Sequence, residues 1–179
     1  MGEDELDRRC VERCLRGESA AFEGIVDRYE KPVYNAIRRL GTEPEEARDL
    51  CQQVFVKVFE KLDTYDPGRR FFSWLYRIAL NETLNYLKSH HSWEPLRDIY
   101  ESPRPDAEAE LIAADREREL NRALLALEMK YRLVIIARHF LNLSYAEAAH
   151  VLDLPEKTVK SRLFMARSLL REILEGQHA

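Results

Sequence analysis

The sequence predicts an all-α protein of two helical domains joined by a flexible linker, and three observations carry that expectation. Apolar residues recur at spacings of three and four through most of the 179-residue chain. Only 6 glycines are present, too few for the marked turns of a β-sandwich. The periodicity then lapses over 89–105, SHHSWEPLRDIYESPRP, where prolines fall and no spacing is sustained. Apolar residues make up 45% of the chain and charged residues 34%, which gives real cores under a wet surface and excludes a disordered tail as the main architecture.

The elements follow in order. A first helix is expected from about Leu6 to Tyr29, bent or broken near Gly17. Val33, Ile37 and Leu40 continue at helical spacing until Gly41 stops them. After GTEPEE, the residues Leu50, Val54, Val58 and Leu62 form one stripe that ends before Asp66, Pro67 and Gly68. A third helix starts near Phe72. Its apolar residues Trp74, Leu75, Ile78, Leu80, Leu84 and Leu87 lie nearly all round the cylinder, the mark of a central, mostly covered helix. These elements make up a first domain, 1–88. Helicity resumes near Asp106 with Leu120, Leu124 and Leu127, then Leu133, Ile136 and Phe140, which opens a second domain, 106–179. The two halves show no internal repeat.

The strongest local signal is LSYAEAAHVLDLPEKTVKSRLFMARSLLREIL. Ser144 followed three residues later by Glu147 is a capping box, in which two side chains satisfy free backbone donors at a helix start. A short helix Tyr145 to Leu152, a turn at Asp153 and Leu154, and Pro155 at the entry of the next helix give the form of a helix-turn-helix. Val159, Leu163, Ala166 and Leu170 fall within one stripe and face a core. The other side then presents Lys157, Lys160, Ser161, Phe164, Ser168 and Arg171. Lys and Arg hold phosphates while polar and apolar groups meet base edges, so this face suits a DNA groove. A hairpin that merely packs is the alternative.

Charge agrees with that reading. The net charge is -4, against a generally basic coat, yet Pro155 to Arg171 holds Lys157, Lys160, Arg162, Arg167 and Arg171 against Glu156 alone. That concentration is the footprint of a phosphate-binding helix, although a solvated face gives similar counts. No apolar run approaches the ~20 residues of a membrane helix. The acidic opening has no signal-peptide core, so a cytoplasmic protein with no direct membrane insertion is expected. Cys10, Cys14 and Cys51 form no secreted disulfide framework, and neither they nor His90 and His91 supply the ligand count of a zinc site. No metal and no cofactor are expected.

The first domain carries a second signal in EARDLCQQVFVKVFEKLDTYDPGRRFFSWLYRIALNETLNYLK. It resembles region 2 of the extracytoplasmic-function (ECF) sigma factors of the sigma-70 family, through Asp49, Leu50, Gln52, Val54 and Phe55, then Trp74, Leu75, Ile78, Ala79 and Asn81. The helix-turn-helix resembles region 4 of the same family at Ser144 to Ala148 and Thr158 to Leu163. Lys157 departs from the Gly that many members carry there. The resemblance implies a transcription initiation factor whose partners are core RNA polymerase and promoter DNA. It implies polymerase binding through the helix from Asp49 to Lys57, with Asp49, Gln52, Gln53 and Val56 on or beside its polar strip. It implies minus-ten recognition by region 2 and minus-thirty-five recognition by the helix Glu156 to Arg171, with Lys157, Thr158, Lys160, Ser161, Arg162, Phe164 and Arg167 facing DNA. Members are often held inactive by an anti-sigma factor, a partner that the linker would permit and that no residue here specifies.

The residues themselves bear on the minus-ten site. The loop Tyr65 to Phe72 interleaves Arg69 and Arg70 with Tyr65, Phe71 and Phe72, and charge with rings is what unpaired DNA needs. Ser73, Trp74, Arg77 and Asn81 extend this set along the third helix, where Asn81 is either a hydrogen-bonded core amide or a base contact. Melting would proceed without catalysis, an extruded base entering a pocket at the loop before Trp74. No Gly-rich phosphate loop, H-E-x-x-H or nucleophile elbow is present, so no enzyme is expected. A sigma mimic that sequesters an anti-sigma factor, and a regulator with an unrelated first domain, are the rival readings.

Overall fold

The computed structural model describes residues 2–90 and 108–176. Helix α1 spans Glu3–Leu15 and stops where Gly17 takes φ +96°. A 3₁₀ turn over Ser19–Phe22 re-aims the chain into α2, Glu23–Leu40. The break at Gly17 falls where the sequence places it, but Tyr29 is no terminus, because α2 runs on through Pro32. A mid-helix proline costs about 3 kcal/mol. Ile25, Tyr29, Val33, Ile37 and Leu40 are all buried on one continuous stripe, and each contributes about 1.5–3 kcal/mol. The stripe therefore wins.

Gly41 ends α2 at φ +110°, its N–H bonded to the Arg38 carbonyl. Thr42 donates its hydroxyl to the Ile37 carbonyl at 3.1 Å, and the Arg38 guanidinium donates to the Thr42 carbonyl, so the corner is closed by side chains. Helix α3, Pro44–Glu60, starts with a capping box between Glu43 and Glu46 and buries Ala47, Leu50, Cys51, Val54, Phe55 and Val58. Helix α4, Phe71–His90, is central: Phe71, Leu75, Tyr76, Ala79, Leu80 and Thr83 are buried along it. Beyond residue 90, the expected linker lies outside the described residues up to 107.

Helix α5 spans Glu108–Ala126. Helix α6, Met129–Ile135, runs into a π-helical turn over Ile136–Phe140. Helix α7, Tyr145–Leu152, begins at the expected capping box, with the Glu147 N–H bonded to Ser144 Oγ at 3.2 Å and the Ser144 N–H to Glu147 Oε2 at 2.6 Å. Asp153 makes the turn at φ 52°, and α8 spans Glu156–Gly176.

The two helical domains that the sequence expects are both present among the described residues, and the sequence leaves open how they sit against each other. The buried side chains of both halves join in one hydrophobic core. Arg132 of α6, nearly buried, donates to the Leu40 carbonyl of α2 at 2.9 Å and to the Leu124 and Leu127 carbonyls of α5 and its exit at 2.9 and 3.0 Å. Burial lowers its pKa to about 10. Arg39 of α2 pairs with Glu117 of α5 at 3.1 Å and lies 4.1 Å from the centre of the Phe140 ring. Polar side chains that reach across carry this junction, and hydrophobic periodicity does not register them.

Candidate nucleic-acid interface

The outer face of α8 is open. Val159, Leu163 and Ala166 are buried, which turns Lys157, Lys160, Ser161, Phe164 and Arg167 outward. The Phe164 ring is 73% exposed and Met165 beside it 45%, a large apolar area for a free helix surface. Thr158 and Arg162 are half-buried on the flank, Arg162 within electrostatic reach of Lys130 on α6. The Ser161 hydroxyl donates to the Thr158 carbonyl at 3.0 Å.

Neighbouring elements hold the basic groups in place. The Tyr145 ring lies between the Arg138 guanidinium, 4.4 Å from its centre, and the Lys160 ammonium, 5.1 Å away. Lys160 also pairs with Glu156 at 2.6 Å. An exposed i, i+4 pair is worth only about 0.3–0.5 kcal/mol, so Lys160 can exchange Glu156 for a phosphate. Arg167 donates from Nε to His139 Nε2 at 3.2 Å. Burial, then Arg167 and Arg138, push the His139 pKa down, which leaves a neutral ring able to accept. Arg138 and His139 were not singled out in the sequence, where their only signal is a basic pair after the α6 pattern, and Tyr145 was read only as the first residue of the short helix and part of the region 4 resemblance.

The minus-ten candidates are placed differently. Gly68 donates its N–H to Asp66 Oδ1 at 2.9 Å and Tyr65 its hydroxyl to the Arg69 carbonyl at 2.7 Å, so the loop braces itself. Arg69 and Asn81 are exposed, which removes the core-amide reading of Asn81. Arg70, Trp74 and Arg77 are half-buried. Phe71 and Phe72 are core side chains, a correction to the expectation that they stack on unpaired bases. Phe72 stacks on Tyr29 at 5.0 Å, and Phe71 meets Tyr65 edge-on at 5.1 Å. The helix includes Phe71 and Phe72, which lie one turn before the buried Leu75 and Tyr76 on the same faces, and both rings therefore turn inward. Tyr65 is buried by the same cluster, and Ser73 is also buried, its hydroxyl donating to Glu147 Oε1 at 3.1 Å.

On α3, Asp49, Gln52, Gln53 and Val56 are exposed and line one shallow depression with Lys57 and Glu60. Val56 is 58% and Phe59 42% exposed. Lys57 pairs with Glu82 of α4, which fixes one wall. An apolar centre within a rim of acids and amides is the composition of a protein-docking surface.

Among the described residues no group of His, Cys, Asp and Glu could hold a metal ion, and no helix is long and apolar enough to cross a membrane. Burial pushes the Cys51 thiol up to about 11.

Residues 25–93 match the family described as Sigma-70 region 2, and residues 117–170 match Sigma-70, region 4. The chain is similar to the RNA polymerase sigma-H factor of Pseudomonas aeruginosa, with 30% identity over 96% of this chain and 95% of that one. It is similar to the ECF RNA polymerase sigma factor SigW of Bacillus subtilis, with 28% identity over 93% of this chain and 96% of that one. Among solved structures, CnrH in complex with the cytosolic domain of CnrY superposes with a TM-score of 0.75 at 28% identity, covering 96% of this chain and 98% of the other.

Proposed function

The chain belongs to the extracytoplasmic-function sigma factors of the sigma-70 family, and from that premise we propose how its surfaces direct core RNA polymerase to promoters. One observation carries the reading: Phe164 stands bare among Lys157, Lys160, Ser161 and Arg167 while the opposite side of the same helix is buried. The basic groups would neutralise phosphates and set register. Phe164 and Ser161 would meet base edges in the major groove of the minus-thirty-five element, an apolar ring being suited to a thymine methyl.

The exposed strip Asp49, Gln52, Gln53 and Val56 would dock on polymerase. Arg69, Arg70, Ser73, Trp74, Arg77 and Asn81 would read the minus-ten element, with Trp74 as the remaining ring for an unpaired base and Arg69 tracking the backbone. Unstacking a base costs a few kcal/mol and is offset by the contacts it then makes, so melting needs no bond-making chemistry. The role is that of a binding protein rather than an enzyme, and it is exercised in the cytoplasm, where polymerase meets promoters. CnrH was solved with a bound protein, and an anti-sigma factor is the partner we propose here besides polymerase and DNA.

Reconstitution tests this reading. Core polymerase with this protein is expected to start transcripts from a subset of a randomised promoter library, while neither component does so alone. Uniform failure across the library overturns it. Asp49→Ala or Gln52→Ala should reduce holoenzyme assembly and leave the fold intact.

A further inference from the structure

Few large apolar side chains stand exposed among the described residues, and two of them, Phe164 and Met165, are neighbours on α8. Met165 lies outside the set that the sequence assigns to DNA. An α-helix turns by about 100° per residue. With Val159, Leu163 and Ala166 buried, Ser161 and Ser168 occupy the outermost line of α8, and Phe164 and Met165 stand about 50° to either side of it. The helix therefore presents small hydroxyls along its crest and one long apolar side chain on each flank.

Positive charge lies outside both flanks. Lys160, Arg167 and Arg171 border the Phe164 side, and Arg162, close to Lys130 of α6, borders the Met165 side. The acids of α8 stand towards its two ends: Glu156 is paired with Lys160, and Glu172 and Glu175 follow Met165 by about two turns or more. A DNA major groove has the complementary section, with phosphates along two walls, base edges on the floor and a width of about 12 Å that admits a helix.

Thymine alone among the four bases places a methyl group on that floor. Consecutive Cα atoms are about 3.8 Å apart, close to the step of about 3.4 Å between base pairs. Adjacent helix residues can therefore meet adjacent pairs. The unbranched thioether of methionine adapts its shape to such a contact.

On the proposed function, we infer that Met165 is a second specificity-determining residue, and that Phe164 and Met165 together read two thymine methyls on neighbouring base pairs of the minus-thirty-five element. Each side chain buries one methyl, so each pair is selected by shape and by exclusion of water rather than by a hydrogen bond.

The test uses holoenzyme assembled from core polymerase and the full chain. Promoters selected by transcription from a randomised library supply the minus-thirty-five sequence. Each of its thymines is then replaced singly by 2′-deoxyuridine, which removes the methyl and keeps every hydrogen-bonding group. Holoenzyme binding is read by competition between duplex templates. Two neighbouring positions are expected to lose about fivefold in affinity, and every other thymine to stay within about twofold. Met165→Ala is expected to abolish the uracil effect at one of the two positions and Phe164→Ala at the other, whereas Met165→Leu should retain it. The uracil series on the wild-type protein needs no substitution and so stands whatever the variants do to the fold.

No uracil effect at any position, a single sensitive position, or selected promoters without two neighbouring A·T pairs each overturns the paired reading. Met165→Ala that weakens thymine and uracil templates equally, or that acts at the same position as Phe164→Ala, overturns the role of Met165. Failure of the library to yield any promoter appears before uracil is introduced, and overturns the promoter-directing function itself.

Discussion

Glu147 illustrates how much one side chain can do. It closes the α7 capping box and accepts from Ser73 of α4, with Arg70 nearby. Burial alone would raise its pKa, but Ser144, Ser73 and Arg70 together hold it below the usual carboxylate range. A folded-state value below the unfolded one gives stability that is fully present above about pH 4.3 and is lost as pH falls through the lower folded value. The stability difference between wild type and Glu147→Gln, measured by urea unfolding from about pH 6 downward, is therefore expected to shrink toward zero in acid. A difference that grows on acidification contradicts the assignment. In the sequence Glu147 is legible only as a cap, because contacts reaching 74 residues back along the chain leave no local pattern.

Helix α8, proposed to meet DNA, was the most legible element. Its buried stripe, its outward basic face and the turn before it all follow from spacing and capping chemistry, since these depend on neighbours within a turn or two. On α8, Lys160→Ala should weaken binding to a minus-thirty-five duplex uniformly across sequences and lower the salt slope by about 1. Phe164→Ala should instead reduce discrimination at one base pair by about 1–3 kcal/mol, as read by competition between promoter variants. Equal effects of the two substitutions on every sequence would contradict the division of labour. The start of α4 was less legible. Phe71 and Phe72 read as a stacking platform beside Arg69 and Arg70, yet as helical residues on the faces of the buried Leu75 and Tyr76 they pack against Tyr29 and Tyr65. Composition can propose such a loop, but only the phase of the helix decides which rings are free.

At the scale of the whole molecule, the two modules were foreseeable and their junction was not. Arg132 seals helix ends from both halves through the Leu40, Leu124 and Leu127 carbonyls. One continuous core predicts a single cooperative calorimetric transition for the full chain. Arg132→Met removes the guanidinium donor from the Leu40 and Leu127 carbonyls, leaves Leu124 only its bond from the Leu127 N–H, and should destabilise the protein by about 3 kcal/mol. Two well-separated transitions in the wild type would contradict the shared core. The bare Val56 and Phe59 on α3 bear on dosage: every copy made in excess of its binding partners keeps an oily spot wet, so self-association should climb with the expression ratio. Stoichiometry, and not folding alone, then limits how much of this protein a cell can hold in reserve.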